Sequence, residues 1–317
     1  MKEYKKFIVY APGYSENNGG AIVLHKLCHL LNISGYESYL YPSFKIWIVH
    51  REFWLMPLLS VLWGAVREKY LRRYRVIPNF KTPIFKGGAS KINEDMVVIY
   101  AEGVTGNPLN ARNVVRWFLH QPGYHNGIIG FGTGELYFDF QAFSHNFELP
   151  FSKLSKQRVF LTHYPLDKYN LKGALPENKR HGTAYCLRKG VHKPQIHHPS
   201  DAILIDGLSH DEISTIFKRV KTFISYDPKT AYSVFAGLCG ADSIVIPDDG
   251  IPLKEWAPDE REVYGIAYGF ERLEWARSTR GKMLETIQRN EEGYKYTIKS
   301  FVKEINSYFN REEAAHR

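Results

Sequence analysis

The chain has 317 residues, of which 44% are hydrophobic and 24% charged, and its formal net charge is +9. These fractions are those of an ordinary folded protein, and they exclude a disordered chain, a collagen-like repeat and a small disulfide-rich protein. The length predicts two globular domains or one large α/β domain.

The cysteines and the N-terminus indicate the compartment. Cys28, Cys186 and Cys239 lie far apart in apolar surroundings, which is typical of buried thiols in a reducing compartment. The first apolar stretch, FIVY, is too short for the core of a signal peptide. We therefore expect a cytoplasmic protein.

An uncharged segment at 53–66 is followed by a basic one. The run FWLMPLLSVLWGAV is shorter than the about 20 apolar residues that a membrane-spanning helix needs. Apolar bulk beside clustered cations is typical of a segment that lies on an anionic bilayer surface. A core helix followed by a solvated basic helix explains the pattern equally well. The cations of this cluster are Arg67, Lys69, Arg72, Arg73 and Arg75.

The sequence pI of about 9.2 also raises the question of nucleic-acid binding. Basic charge alone is a weak signal, and the chain has no zinc-finger spacing, RNA-recognition motif or helix-turn-helix pattern. We therefore expect no nucleic-acid partner, and a basic nucleic-acid binder is kept only as the weakest alternative.

The N-terminal half alternates strands and helices. FIVYAPGYSENNGGAIVLHKLCHLL predicts a strand, a loop containing Glu16, and an amphipathic helix, without the full dinucleotide-binding fingerprint. The apolar run 96–100 predicts a buried parallel strand with Glu102 directly after it. Residues 107–119 predict a further helix, opened by Asn107 and Pro108.

The pattern restarts after a polar, glycine- and proline-rich stretch. TAYCLRKG predicts a strand, and Ser209, Asp211 and Glu212 mark the start of a helix. KTFISYDPKTAYSVFAGLCGADSIVIPDDG predicts strand, loop, helix and strand, and residues near the C-terminus predict a closing amphipathic helix. We therefore expect two Rossmann-like domains, at 1–165 and 180–317.

The loop after the strand TFIS is a candidate anion site. A helix predicted to begin near Thr230 would present backbone N–H groups and hydroxyls to a diphosphate, although Asp, Pro and Thr also begin helices for structural reasons alone. Arg188 and Lys189, at the end of another strand, would add a bidentate clamp and a point charge, or form a solvated turn. The candidate donor-binding residues are Arg188, Lys189, Tyr226, Asp227, Thr230, Tyr232 and Ser233.

These stretches together resemble a family. GNPLNARNVVRWFLHQPG, AYCLRKG, IDGLSHDE and SYDPKTAYSVFAGLCGADSIVIPD are similar to the GT-B glycosyltransferases of bacterial surface-polysaccharide (O-antigen and capsule) biosynthesis. The resemblance implies two Rossmann-like domains facing across a cleft and transfer of a sugar, such as a hexose, from a nucleotide-diphosphate-sugar held mainly by the C-terminal domain. It further implies a glycan acceptor in the N-terminal domain, and we expect that glycan to be lipid-linked. No metal or other cofactor is implied.

The sequence departs from this family at one place. Many retaining members carry two glutamates eight positions apart, and the corresponding positions here are Asp227 and Phe235. A phenyl ring cannot accept hydrogen bonds from ribose, so the motif does not indicate retaining or inverting stereochemistry. It also keeps open a non-catalytic binding or scaffold protein built on a degenerate GT-B fold.

Two carboxylates are candidates for the catalytic base. Glu102 follows a buried strand and could take the proton of an acceptor hydroxyl, and Glu16 is the second candidate. Both glutamates fit the role of a helix-capping or solvent-exposed carboxylate equally well. His192, His197 and His198 lack a suitably spaced cysteine or carboxylate, so we expect no metal site. The prediction is a peripheral enzyme at the inner face of the cytoplasmic membrane.

Overall fold

The computed structural model of the chain describes residues 3–43, 73–124, 127–140 and 149–315, with 312–315 as backbone only. The chain forms two compact units. The first comprises Met1–His163 together with Gly293–Arg317, and the second comprises Tyr164–Glu292. Each unit is built around one parallel sheet, so the predicted α/β class with two sheet-based halves is confirmed.

The first unit contains a six-stranded sheet of order β2-β1-β3-β4-β5-β6, in which every neighbouring pair is parallel. Helix α1 (Gly19–Ile33) connects β1 to β2, and the Asn18 side chain caps it by accepting from the Ala21 N–H at 3.0 Å. The strands are β1 Lys6–Ala11, β2 Glu37–Pro42, β3 Met96–Ala101, β4 Asn113–Phe118, β5 Leu136–Asp139 and β6 Lys153–Leu154.

The prediction of a helix over 107–119 is wrong, because this stretch contains strand β4, all of whose residues are buried. A short apolar run fits a buried strand and a buried helix equally well, and burial on both faces of the sheet removes the alternation that distinguishes them. Asn107 closes a turn before the strand instead of opening a helix. Its Oδ1 accepts from the Ala111 N–H at 3.0 Å and from the Tyr100 hydroxyl at 2.9 Å.

The second unit contains a five-stranded parallel sheet of order β11-β10-β9-β7-β8. Ser209 and Glu212 form a capping box at the start of α2, as their spacing predicts. The strands are β7 Thr183–Cys186, β8 Ile203–Leu204, β9 Thr222–Ser225, β10 Asp242–Val245 and β11 Ile266–Tyr268. The helices are α2 His210–Phe217, α3 Tyr232–Leu238, α4 Leu253–Trp256 and α5 Leu273–Thr279.

The predicted closing helix is present as α6 (Met283–Ala315). Its apolar stripe, which includes the fully buried Ile298, Phe301 and Ile305, packs into the core of the first unit. The rings of Phe301 and Phe138 of β5 lie 4.6 Å apart. Residues 293–317 therefore belong with the first unit, whereas the predicted division placed all of 180–317 in the second domain.

The cysteines behave as buried apolar groups. Burial raises the thiol pKa of Cys28 and of Cys186 to about 12 and that of Cys239 to about 11. Such thiols are protonated and unreactive at neutral pH. Among the described helices, none is both long enough and apolar enough to cross a bilayer.

Candidate functional site

The turns after β7 and β9 are in backbone contact at the carboxyl edge of the second sheet. Gly190 makes this contact possible, because a Cβ at that position would lie 2.1 Å from the carbonyl oxygen of Tyr226. In parallel sheets all carboxyl ends meet at one edge, where ligands bind. The close approach brings the segment of Arg188 and Lys189 next to the segment of Asp227.

Arg188 has a strained backbone that Asp206 stabilises. Its φ is +44°, in the left-handed region that residues other than glycine rarely adopt. Asp206, which follows β8, accepts from the Leu187 N–H at 2.9 Å and from the Arg188 N–H at 3.0 Å, both through Oδ2. The other carboxylate oxygen, Oδ1, is buried without a hydrogen-bond partner among the described residues.

The Arg188 side chain is exposed and lies over an aromatic ring. Its guanidinium carbon is 5.1 Å from the centre of the Tyr232 ring, at the start of α3. Burial raises the pKa of the Tyr232 hydroxyl, and the charge of Arg188 partly opposes that shift. Lys189 is also exposed. The structure thus brings Arg188 and Tyr232 together and leaves two cations facing solvent at this edge.

Tyr226 and Asp227 are buried and engaged within the protein. The Tyr226 hydroxyl accepts from the His197 N–H at 3.1 Å and lies 2.9 Å from His198 Nδ1. Asp227 is 3% exposed, and its Oδ1 accepts from the Lys229 N–H at 3.0 Å. Both residues therefore shape the turn after β9.

Helix α3 begins slightly later than predicted, and it is short. The helix begins at Tyr232, two residues after Thr230, and it comprises 7 residues. Thr230 is half-buried, and its Oγ1 accepts from the Tyr232 N–H at 3.3 Å. The Ser233 hydroxyl is buried and has no hydrogen-bond partner among the described residues. Side-chain cations are therefore stronger candidates for holding an anion here than this short helix is.

Lys193, which was not predicted from the sequence, joins two loops of the same edge. Its Nζ donates to the Ile246 carbonyl at 2.7 Å and lies 2.7 Å from Asp248 Oδ1. Lys193 is 9% exposed. The sequence did contain a signal for Lys193, since it lies five residues after Arg188 and a further cation near a strand end can belong to the same site.

Phe235, the departure from the family pattern, is a core residue. Its ring stacks on that of Tyr169 with centroids 4.1 Å apart and an angle of 8° between the planes. His210 and Tyr232 pack against its edges. Packing thus accounts for the apolar residue at this position.

The histidines at 197 and 198 join the aromatic packing around Tyr226. His198 stacks on Tyr185 with ring centroids 3.8 Å apart, and His197 lies 6.0 Å from Phe270. Across the described ranges, no group of three or more histidine, cysteine, aspartate and glutamate side chains is arranged to hold a metal ion.

Glu102 lies at the carboxyl edge of the first sheet, directly after β3. It is 7% exposed, and its Oε2 accepts from the Leu119 N–H at 2.9 Å. Burial raises the pKa of the Glu102 carboxyl, while hydrogen bonds from backbone N–H groups, including that of His120, partly oppose this shift. The carboxylate therefore orders the end of β4 and has an elevated proton affinity.

The sequence did not predict a buried ion pair that contacts the loop after Glu102. Arg116, in the middle of β4, is fully buried and forms a bidentate pair with Glu135. It also donates to the carbonyls of Val104 at 2.5 Å and Gly106 at 2.6 Å. The Phe131 ring centre lies 4.2 Å from its guanidinium carbon. This pair fixes the loop that begins at Glu102.

The remaining predicted residues lie elsewhere in the first unit. Glu16 is half-buried in the loop between β1 and α1. Of the basic cluster, Arg67, Lys69 and Arg72 lie outside the described residues, whereas Arg73 and Arg75 are described and exposed. Tyr74, between those two arginines, is buried and donates to the Ala11 carbonyl at 3.0 Å.

No protein-family model matches the chain, and no curated protein matches its sequence. Among solved structures, it is similar to sucrose-phosphate synthase from Thermosynechococcus elongatus, with a TM-score of 0.41 and 11% identity over 98% of this chain and 99% of that chain. It is also similar to the spinosyn forosaminyltransferase SpnP, with a TM-score of 0.31 and 10% identity over 97% and 96% of the two chains.

Proposed function

We propose that this protein is a GT-B glycosyltransferase that moves a sugar, in particular a hexose, from a nucleotide-diphosphate-sugar to a lipid-linked glycan in bacterial polysaccharide assembly. The main support for this proposal is the strained backbone conformation of Arg188. An exposed arginine in a strained conformation, braced by the Asp206 carboxylate at the ligand-binding edge of a parallel sheet, is typical of a binding residue rather than of a structural one.

Arg188 and Lys189 would bind the diphosphate. A guanidinium matches two phosphate oxygens at once, and the neighbouring ammonium adds a second positive charge. As the bond from the sugar to the diphosphate breaks, negative charge grows on the leaving oxygen, and fixed cations stabilise it. The Thr230 hydroxyl, at the same edge, supplies a further donor. This arrangement assigns leaving-group stabilisation to side chains, so the reaction proceeds without a divalent metal ion.

Glu102 is the proposed base if the reaction inverts configuration. A carboxylate is an efficient base when its pKa is raised toward the working pH, and burial shifts the pKa of Glu102 in that direction. Its place after β3 puts it at the ligand-binding edge of the first sheet. Glu16, in the loop after β1, is the second candidate. Comparing the rates of Glu102→Gln and Glu16→Gln decides between them.

A lipid-linked acceptor requires the enzyme to work at a membrane surface. A lipid-linked glycan stays in the bilayer, so a protein that acts on it must reach the surface, here the inner face of the cytoplasmic membrane. The basic segment of residues 67–75 supplies cations for anionic headgroups. Replacing Arg72, Arg73 and Arg75 by glutamate is expected to reduce sedimentation with anionic vesicles, and unchanged sedimentation would contradict this assignment.

A transfer assay tests the proposal. The protein is incubated with UDP-, GDP-, dTDP- and CMP-linked sugars and bacterial lipid extract, and release of the free nucleotide is followed with and without EDTA. We expect one donor to be consumed in both conditions. Nucleotide binding without turnover of any donor would identify the non-catalytic scaffold, and loss of turnover with EDTA would show that a metal is required.

A further inference from the structure

One edge of the first unit pairs a short strand with the last part of α6. The segment 151–158, which contains β6, follows the helix. The Tyr308 hydroxyl donates to the Phe151 carbonyl at 3.0 Å, and Lys153 Nζ lies 2.7 Å from Glu304 Oε1. The carboxylate of Glu304 is therefore already neutralised within this surface.

Gln157 makes a further contact between this segment and α6, two turns before Tyr308. Its Oε1 accepts from the Ser300 hydroxyl at 2.8 Å, and its Nε2 donates to the Thr297 carbonyl at 3.2 Å. Lys156 and Arg158 flank Gln157, and both are exposed. These two cations are therefore the sequence neighbours of a residue that joins this segment to α6.

The helix adds two more cations to this edge. Lys299 and Lys303 are one turn apart and exposed. Together with Lys156 and Arg158 they form what we term the basic surface. Within the described part of the chain, none of its members pairs with a carboxylate, and Glu304 is already occupied by Lys153. Uncompensated like charges on a helix and on the segment that follows β6 repel one another, so an anionic partner would stabilise them.

Exposed aromatic side chains accompany the basic surface. Phe151 is 82% exposed and has a φ of +59°, a conformation that strains a residue with a bulky side chain. Its carbonyl is held by the Tyr308 hydroxyl. Tyr296, three residues before Lys299, is 67% exposed. Apolar and aromatic groups beside cations are the composition of surfaces that bind at the headgroup level of a bilayer.

We propose that the basic surface binds the anionic headgroups of a lipid bilayer and that Phe151 enters the interfacial layer. The exposed phenyl ring favours a bilayer over nucleic acid, because its apolar bulk gains from leaving water at the acyl boundary. This surface contains no residue of the basic segment at 67–75. The inference rests on the proposed function only in that a bilayer would carry the lipid-linked acceptor, and the binding itself needs no donor.

The test is co-sedimentation of the full chain with phosphatidylglycerol–phosphatidylcholine vesicles and with pure phosphatidylcholine vesicles. We expect binding to the first only. Because each cation near an anionic surface contributes about fivefold in affinity, the double variant Lys299→Glu/Lys303→Glu should bind at least about tenfold more weakly. The matched control, Lys172→Glu/Lys221→Glu, makes the same change in net charge at exposed positions of the second unit and should retain wild-type binding.

Phe151→Asn tests insertion separately. Asparagine tolerates the left-handed backbone, so this variant should fold and still lose vesicle affinity. Equal binding by the charge-reversal variant and its control would overturn the proposal, as would tighter binding to a short DNA duplex than to anionic vesicles. Nucleotide affinity, measured by calorimetry on the same variants, should not change. If the protein binds a nucleotide but not anionic vesicles, the basic surface is rejected and the donor site is not. If it binds anionic vesicles but no nucleotide, the donor site is rejected and the basic surface is not.

Discussion

Gly190 packs directly against the carbonyl of Tyr226, so closely that a methyl group at residue 190 would lie 2.1 Å from that oxygen. The contact locks the turn that carries Arg188 onto the turn that follows β9. The candidate diphosphate site thus depends on a residue with no side chain of its own.

Gly190→Ala should therefore destabilise the second unit. Relieving an overlap with backbone requires the two turns to separate, at a cost of about 1–3 kcal/mol in unfolding free energy. Urea denaturation measures the loss. The control is Gly293→Ala in α6, where an added Cβ meets nothing within 4 Å; that variant should gain about 0.5–1 kcal/mol because alanine favours a helix. Equal stability of the two variants would contradict the packing argument.

Asp206 should act on ligand binding through Arg188. Asp206→Ala removes the acceptor for two backbone N–H groups, so the strained turn relaxes and the guanidinium loses its fixed position. We expect nucleotide affinity to fall by about tenfold, because bonds to charged groups contribute about 1.5–3 kcal/mol each. Asp206→Asn keeps one acceptor oxygen and should recover part of the affinity in calorimetry. If Asp206→Asn loses as much nucleotide affinity as Asp206→Ala, the negative charge of Asp206 matters for binding, and its hydrogen bonds to the Arg188 turn do not.

Arg116 and Glu135 should be strongly coupled in stability. Arg116→Met leaves a buried carboxylate without its partner, which costs about 3–5 kcal/mol in unfolding free energy. Adding Glu135→Met removes the orphaned charge and should restore part of that loss. Denaturation of the two single variants and the double variant measures the coupling; additive losses would show that the pair does not act as a unit.

Glu102 should make stability depend on pH. Its carboxyl pKa in the folded protein is raised above the ordinary value of 4.5, so the folded state binds the proton more tightly than the unfolded state. The resulting stabilisation is complete below the ordinary pKa and is lost as the pH rises through the raised value. The melting temperature of Glu102→Gln, minus that of wild type, should therefore increase with pH above 4.5. A difference that is constant with pH would contradict the burial argument.

The sequence predicts the repeated βα units well because each has its own periodicity and its own caps. Ser209 with Glu212, and Asn18 before α1, are local signals that depend on neighbouring residues only. The prediction of a helix over 107–119 is wrong for the opposite reason. A strand covered on both faces has no periodicity, so its identity depends on the rest of the sheet.

For the candidate site, the sequence predicts which residues follow the strands but not how these residues contact one another. Arg188 stands out because a cation follows a strand, but its strained backbone and the supporting Asp206 depend on pairing between β7 and β8. The ion pair joins Arg116 of β4 to Glu135, the residue directly before β5, and either residue alone resembles a solvated charge. Contacts of this kind arise from topology, which the residue pattern does not contain.

Calorimetric titration of the full chain with UDP, GDP, dTDP and CMP tests whether Arg188 binds the donor, when wild type is compared with Arg188→Ala. We expect one nucleoside diphosphate to bind, and Arg188→Ala to bind it about 10- to 100-fold more weakly because a charge-assisted phosphate contact is lost. Arg277→Ala, at the opposite edge of the same sheet where Arg277 pairs with Asp242, serves as the control and should keep wild-type affinity. Equal affinity of wild type and Arg188→Ala, or no binding of any of these nucleotides, would show that Arg188 does not hold a donor diphosphate.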